Sequence, residues 1–483
     1  GNSCNFTCII PARNNRYAVF MVAVFSIIYA MIALVNHYHF RTYALDLGAY
    51  TNALWDYARF RWNDSSVFRA VPENLLADHF DLYLPALAPL SFVFGTYTLP
   101  VVQIVAILAG GIGIYRLFSS NASGKGTALA AMAWFYLFFG VFSAVAFDYH
   151  SNVVAACLVP WLMRAVKRRR AFAATALLFL ILASKENVSL WMAFVCLGLA
   201  FEYRSDHGRR YALLAGSALS LLWFAVVTSL VMPLLSVKGS YPHFHYTHFG
   251  TSLPEAIANA ASRPGEAFLA LFVNHTGFPP GYGVKAEFHI LLLVSGLPFL
   301  FLKPQYLLML LPLFFQKMFH DNYALWGIGG QYSVEFAPVM AAGIFLVAGK
   351  AGSARLRNIL LVTAVAGGLA ATVRTMDNTV YFTDKSAIRI YKAGHYRRDY
   401  DVRAVHQALD TIPANVAVSA QSPFVPHLAL RDHVYQFPII RDAEYLVFSE
   451  KELPYPLDQE TFDSITGAMK DSPAWKKIWQ KEG

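Results

Sequence analysis

Charge is scarce in this chain: Asp, Glu, Lys and Arg make up 14% of its 483 residues, against 56% hydrophobic. A soluble globular domain carries about 25% charged residues, so that class is excluded. A mean hydropathy of +0.41 points the same way. Cysteine is scarcer still, at four. Cys157 and Cys196 stand inside apolar segments, and Cys4 with Cys8 are too few for a zinc site, so no disulfide framework is expected. The polar C-terminal segment lacks a GxGxxG or P-loop pattern, and no nucleotide site is read there. The first apolar run, Tyr17 to Val35, follows Arg13 and Arg16 and has no small-residue cleavage site after it; it reads as an uncleaved span. Asn-x-Ser/Thr matches at Asn5, Asn63, Asn121, Asn187 and Asn274 fall on both expected faces, which is a chance pattern.

What the chain does have is long apolar runs. About eleven stretches between Tyr17 and Arg374 approach the 17 to 25 residues that cross a ~30 Å hydrocarbon core, which predicts a polytopic α-helical membrane protein. The net charge of +9 is a topology signal, because the cations sit in short loops such as Arg164 to Arg170, Arg204 to Arg210 and Lys350 to Arg357. Nucleic acid is therefore not an expected partner; the lipid bilayer is. Taking these loops as cytoplasmic predicts a cytoplasmic N-terminus, a transmembrane domain over 1–374 with long outer loops 38–99 and 236–287, and an outer soluble domain over 375–483. That last segment holds 28 of the 69 charged residues in 109 positions. Val402, Val405 and Leu409 share a helix face there, and strand-like runs follow at 415–420, 433–437 and 445–448, so a small α/β domain is expected. Within loop 38–99, Leu82 to Phe94 is too short for a crossing and is expected to be an interfacial or re-entrant helix.

Charged groups gather at the outer ends of the spans, where a charge beside hydrocarbon costs about 2.5 to 3.5 kcal/mol unless a partner or a function offsets it. Asp46 is placed either to act as a general base or to cap a loop helix over Leu47 to Tyr57. Asp78 and Asp81 have the same choice, and His79 is suited to a phosphate or to orienting a carboxylate. Asp148 with His150 and Lys185 with Glu186 each occupy a tight turn between two spans. A lysine in an outer loop short of cations suits the phosphate of a lipid-linked donor. Gln331, Tyr332 and Glu335 open a later span and either line the same cavity or form a polar cap. His243, His245 and His248 match no established metal-ligand spacing and read as an aromatic, His-rich interfacial loop.

Leu45-Asp-Leu-Gly-Ala-Tyr-Thr-Asn-Ala-Leu-Trp55, Asp78-His-Phe80, Phe147-Asp-Tyr-His150, Ser184-Lys-Glu186 and Val425-Pro-His-Leu428, in that order, resemble the bacterial membrane family catalogued as domain of unknown function 2079. The layout also resembles the GT-C superfamily of integral-membrane glycosyltransferases. The family's Ser-Pro after His-Phe is replaced here by Asp81-Leu82. The resemblance implies an enzyme of the bacterial inner membrane that moves a sugar, with inversion, from a polyprenyl-phosphate carrier to a glycan, lipid or protein acceptor on the extracytoplasmic side. It implies Asp46 as general base, Asp148 and His150 as the second acidic motif, and Lys185 with Glu186 facing the donor phosphate. No metal ligands are assigned, and a divalent ion is left open as a cofactor. The competing class is a transporter or flippase of lipid-linked sugars, in which buried ionisable residues mark a pathway; the absence of an internal repeat speaks against it.

Overall fold

The computed structural model describes residues 16–64, 67–119 and 124–480. Cys4, Asn5, Cys8, Arg13 and Asn121 lie outside the described residues. The chain is a helical membrane protein. Among the described residues four helices are long and apolar enough to cross a bilayer: Arg16–Tyr38, Tyr83–Phe118, His207–Leu235 and Ala354–Met376. The pair Gly124–Leu137 and Phe139–Val145, bent by 47°, makes a fifth if taken as one span. Other expected spans are shorter helices: Ser151–Lys167, Ala171–Leu182, Glu186–Glu202, Pro304–Met318 and Phe336–Gly349. The expected helix at 288–302 is broken into Val284–Val294 and a tight 3-10 stretch, Leu297–Leu302, at Gly296, whose φ of +107° suits a residue without Cβ. The segment read as a separate short helix at 82–94 instead runs on into Thr98–Phe118 as one 36-residue path. Pro85, Pro89 and Gly95 divide it into short turns without ending it.

Small residues set the packing of the bundle. A Cβ on Gly110 would lie 2.9 Å from Cys157 Cβ, and one on Gly113 2.8 Å from Trp161 Nε1, so these glycines let Ser151–Lys167 approach Thr98–Phe118 closely. Buried polar tips find backbone partners: Tyr29 Oη donates to Tyr136 O at 2.7 Å and Trp134 Nε1 to Ser295 O at 3.0 Å.

The C-terminal segment builds a three-stranded parallel sheet from β1 (Val418–Ala420), β2 (Val434–Gln436) and β3 (Tyr445–Val447), in the order β2-β1-β3 with Val418 opposite both Val434 and Tyr445. Each strand falls inside an expected run, and Val402–Asp410 is the expected amphipathic helix. The sheet shares one apolar core with the long loop that follows the first helix: Phe40, Ala44, Leu47 and Leu54 bury against Val418, Phe424, Val425 and Leu428. Asn52 Nδ2 ties the two together by donating to Ala429 O at 3.1 Å and Arg431 O at 2.9 Å.

The tightest point of this contact is Gly48, where an added Cβ would sit 2.9 Å from Val425 Cγ1. Helix propensity favours alanine over glycine by up to about 1 kcal/mol, whereas overpacking costs about 1 to 3 kcal/mol. Gly48→Ala is therefore expected to lower thermal stability in the wild-type background and to be neutral or stabilising alongside Val425→Ala. Additive effects in this double-mutant cycle would show that the close approach carries no energy.

Candidate active site at the loop turns

Loop one brings the first carboxylate into place. After Tyr38 the chain turns through Phe40 at positive φ and enters a widened helical turn, Ala44–Gly48, closed by Gly48 N donating to Tyr43 O at 3.0 Å; Ala49–Tyr57 follows as regular helix. Such widened turns often mark functional sites. Asp46 lies inside this turn, and its carboxylate meets a side chain rather than capping the helix: Oδ1 is 3.1 Å from His150 Nε2, with 28% of the Asp46 side chain exposed. Asp148, 3% exposed, uses Oδ2 to accept from the N–H of Tyr43 at 2.8 Å and Leu47 at 3.3 Å. It fastens the turn that carries Asp46. His150 is itself held by its N–H donating to Gln103 Oε1 at 3.0 Å and by Nδ1, 3.1 Å from Asp148 O.

The protonation of the pair follows from these partners. A carbonyl only accepts, so the Nδ1 contact with Asp148 O places a ring proton on Nδ1 and turns Nε2 to the Asp46 carboxyl. Burial raises the pKa of Asp46, but the charge and hydrogen bond of His150, then Lys185 and His79, outweigh it and hold the carboxyl below its ordinary value. Asp148 shifts upward, through burial and the nearby Asp46 charge. The two shifts run in opposite directions, and Asp46 is the more readily ionised of the two carboxyls.

The other motifs close around this pair. Ser151 Oγ donates to Ser184 O at 2.7 Å, joining the Asp148 to His150 turn to the Lys185 to Glu186 turn. Glu186, 1% exposed, accepts from Phe80 N at 3.1 Å and Tyr241 Oη at 3.4 Å and lies 3.3 Å from His79 Nδ1. Asp78 pairs with Arg69 at 2.7 Å instead of capping a helix. Lys185 is 9% exposed and, among the described residues, has no carboxylate within 4.0 Å. Its charge nevertheless reaches Asp46, Asp81, Glu186 and Glu335. A buried cation near acids, without an ion-pair contact to any of them among the described residues, is placed to receive an anionic ligand.

Tyr332 lies within electrostatic reach of Asp46, while Gln331 is buried with Oε1 unpartnered. Glu335 accepts from Asn152 Nδ2 at 2.5 Å. Of the loop histidines only His243 joins the cluster, donating through Nε2 to Asp78 O at 2.7 Å; the His245 ring lies 5.5 Å from His320 and the His248 ring 5.0 Å from His275. Asp78, His79 and His243 bring one ligand atom each within 4.8 Å, a set missed by sequence reading because it is assembled from two loops. Tyr241, Ser422, whose Oγ accepts from Ala44 N at 3.2 Å, and Tyr455, within reach of the Asp46 charge, were missed for the same reason. A cleft of about 420 Å³ lined by Ile290, Leu291, Ala370 and Arg374 is apolar and includes none of these residues.

A family model described as "Predicted membrane protein (DUF2079)" matches residues 36–481, and no curated protein matches the chain.

Asp81 offers a pH test of the cluster's burial. It is fully buried, with Oδ1 accepting from Tyr83 N at 2.9 Å and Oδ2 unpartnered, and burial pushes its pKa from 3.8 up to about 7. The folded protein therefore binds a proton there that the unfolded chain releases, and stability falls as pH rises from about 4 to about 7. Asp81→Asn keeps the bond to Tyr83 and removes the titration. The thermal stability of the variant relative to wild type is expected to rise across that window, by up to about 4 kcal/mol, and level off above it. A difference independent of pH would place Asp81 in water.

Proposed function

We propose, for a chain that belongs to the DUF2079 family of predicted membrane proteins, that it is an inverting glycosyltransferase acting on a polyprenyl-phosphate sugar. In this reading about eleven apolar segments cross the bacterial inner membrane, the N-terminus is cytoplasmic, and residues 375–483 form an extracytoplasmic domain over the outer loops. The observation that carries the reading is the pairing of roles in one cluster: an ionised, partly exposed carboxylate at Asp46 and, across from it, a lysine at 185 with no ion-pair partner among the described residues.

The chemistry runs as follows. The acceptor hydroxyl attacks the anomeric carbon from the face opposite the phosphate; the new C–O bond forms as the bond from that carbon to the phosphate oxygen breaks, inverting the centre. Asp46 takes the hydroxyl proton, a general-base contribution of about 10² to 10⁴ in rate. His150 orients it through the 3.1 Å contact of Nε2 with Oδ1. The electron pair of the broken bond leaves on the lipid phosphate, whose charge Lys185 stabilises. Asp148 positions Asp46 through the loop-one backbone, and Glu186 with His79 and Asp78 forms the wall beside Lys185. Gln331 and Tyr332 are placed to contact the sugar from the later span. A glycan, lipid or protein acceptor fits this scheme equally, since only a hydroxyl is required.

The test uses the full chain in liposomes with a panel of radiolabelled polyprenyl-phosphate sugars, scoring release of free polyprenyl phosphate. Asp46→Asn preserves shape and hydrogen bonding but not basicity, and is expected to lower turnover at least about 10²-fold with unchanged thermal stability. Lys185→Ala is expected to cost about 2 to 4 kcal/mol in kcat/KM. Equal rates for wild type and Asp46→Asn would refute the base. Movement of intact donor across the bilayer without release of carrier phosphate would replace the enzyme by a flippase.

A further inference from the structure

We infer that Asp78, His79 and His243 form a binding site for one divalent transition-metal ion, zinc foremost, with Glu186 supporting it from behind. The three residues come from two loops 165 positions apart in sequence, and the fold directs them to one point. His243 Nε2 is 3.7 Å from Asp78 Oδ1, His79 Nε2 is 4.0 Å from Asp78 Oδ2, and all three ligand atoms lie within 4.8 Å of one another. Ligand atoms bound at about 2.0 to 2.2 Å on a tetrahedral zinc stand roughly 3.3 to 3.6 Å apart, so a contraction of at most about 1.5 Å closes the site.

The surroundings have the features of a metal site. Two imidazoles and a carboxylate form a donor set suited to zinc and other borderline cations, while magnesium and calcium prefer oxygen alone. The two rings are nearly parallel, with centroids 4.2 Å apart, and the Nε2 atoms of both face Asp78. His79 turns its other nitrogen, Nδ1, to Glu186 Oε1 at 3.3 Å, the carboxylate–imidazole arrangement that fixes the tautomer and raises the basicity of a metal-ligating histidine. Glu186 is fixed in turn by Phe80 N and Tyr241 Oη. Arg69, bound to Glu73 at 2.6 Å, takes only Oδ1 of Asp78 and leaves Oδ2 for the ion. On binding, His243 Nε2 gives up the proton it shares with Asp78 O, and the fourth position is left to water or an anionic oxygen.

This inference does not depend on the reaction proposed above, because its test reads metal and not turnover. Full-length protein purified in detergent without chelator is expected to hold about one zinc per chain by elemental analysis. After stripping with EDTA, added Zn²⁺ is expected to raise Tm, and Mg²⁺ at the same concentration to leave it unchanged. His243→Gln and His79→Gln, each confirmed as folded by its elution profile, are expected to fall below about one tenth of a zinc per chain. Glu186→Gln is expected to retain the site with 10- to 100-fold weaker zinc affinity in chelator competition. Wild type without bound zinc and without a zinc-dependent rise in Tm would overturn the proposal. So would folded His243→Gln and His79→Gln variants that keep the wild-type stoichiometry, since the ion would then reside elsewhere.

Discussion

A single carboxylate oxygen holds the cluster in register. Asp148 Oδ2 accepts from the backbone N–H groups of Tyr43 and Leu47, on either side of Asp46, and so joins the turn after one helix to the loop after another. Because both donors are backbone, the link fixes the helical turn itself and not merely a side chain. Asp46 is then presented to His150, two residues beyond Asp148. If this bond were lost, two buried N–H groups and a buried carboxylate would all lack partners, each at a cost of about 1 to 3 kcal/mol or more. The close seating of Gly48 under Val425 and the shared core of loop one and the parallel sheet depend on the same turn.

Around that fixed point the charges form a chain of contacts: Asp46 to His150, Ser151 to Ser184, Glu186 to His79, His243 to Asp78, and Asp78 to Arg69. A low-dielectric setting makes each unpaired member expensive, which is why most have partners. Lys185 departs from this pattern in having no carboxylate within ion-pair distance among the described residues. In the proposed chemistry that free positive charge is the one offered to the donor phosphate. The C-terminal sheet adds a roof: Ser422 reaches the loop-one backbone, and Tyr455, half exposed, comes within range of the Asp46 charge.

The helical membrane class, the charged turns between helices and the three short strands were all legible in the sequence, since each is written in local pattern: apolar length, charge at the ends of apolar runs, and alternation. Local pattern was less able to settle alternatives. Asp46 as a cap and Asp46 as a base differ only in what the carboxylate touches, and the 3.1 Å contact with His150 decides for a side-chain partner. Asp148 looked like a second reactive acid, yet its backbone bonds give it a positioning role in the proposed chemistry.

By itself the sequence determined which residues are charged, how they are spaced along the chain and which stretches must leave water, because hydrophobic length and helix or strand period are properties of neighbours in the chain. Only the tertiary structure decided which charges meet. The pairings of His79 with His243, of Asn152 with Glu335 and of Gly48 with Val425 join positions more than 160 residues apart. Those encounters are set by how helices pack and where loops fold back, and a side chain's chemistry depends on the few ångströms that such packing fixes.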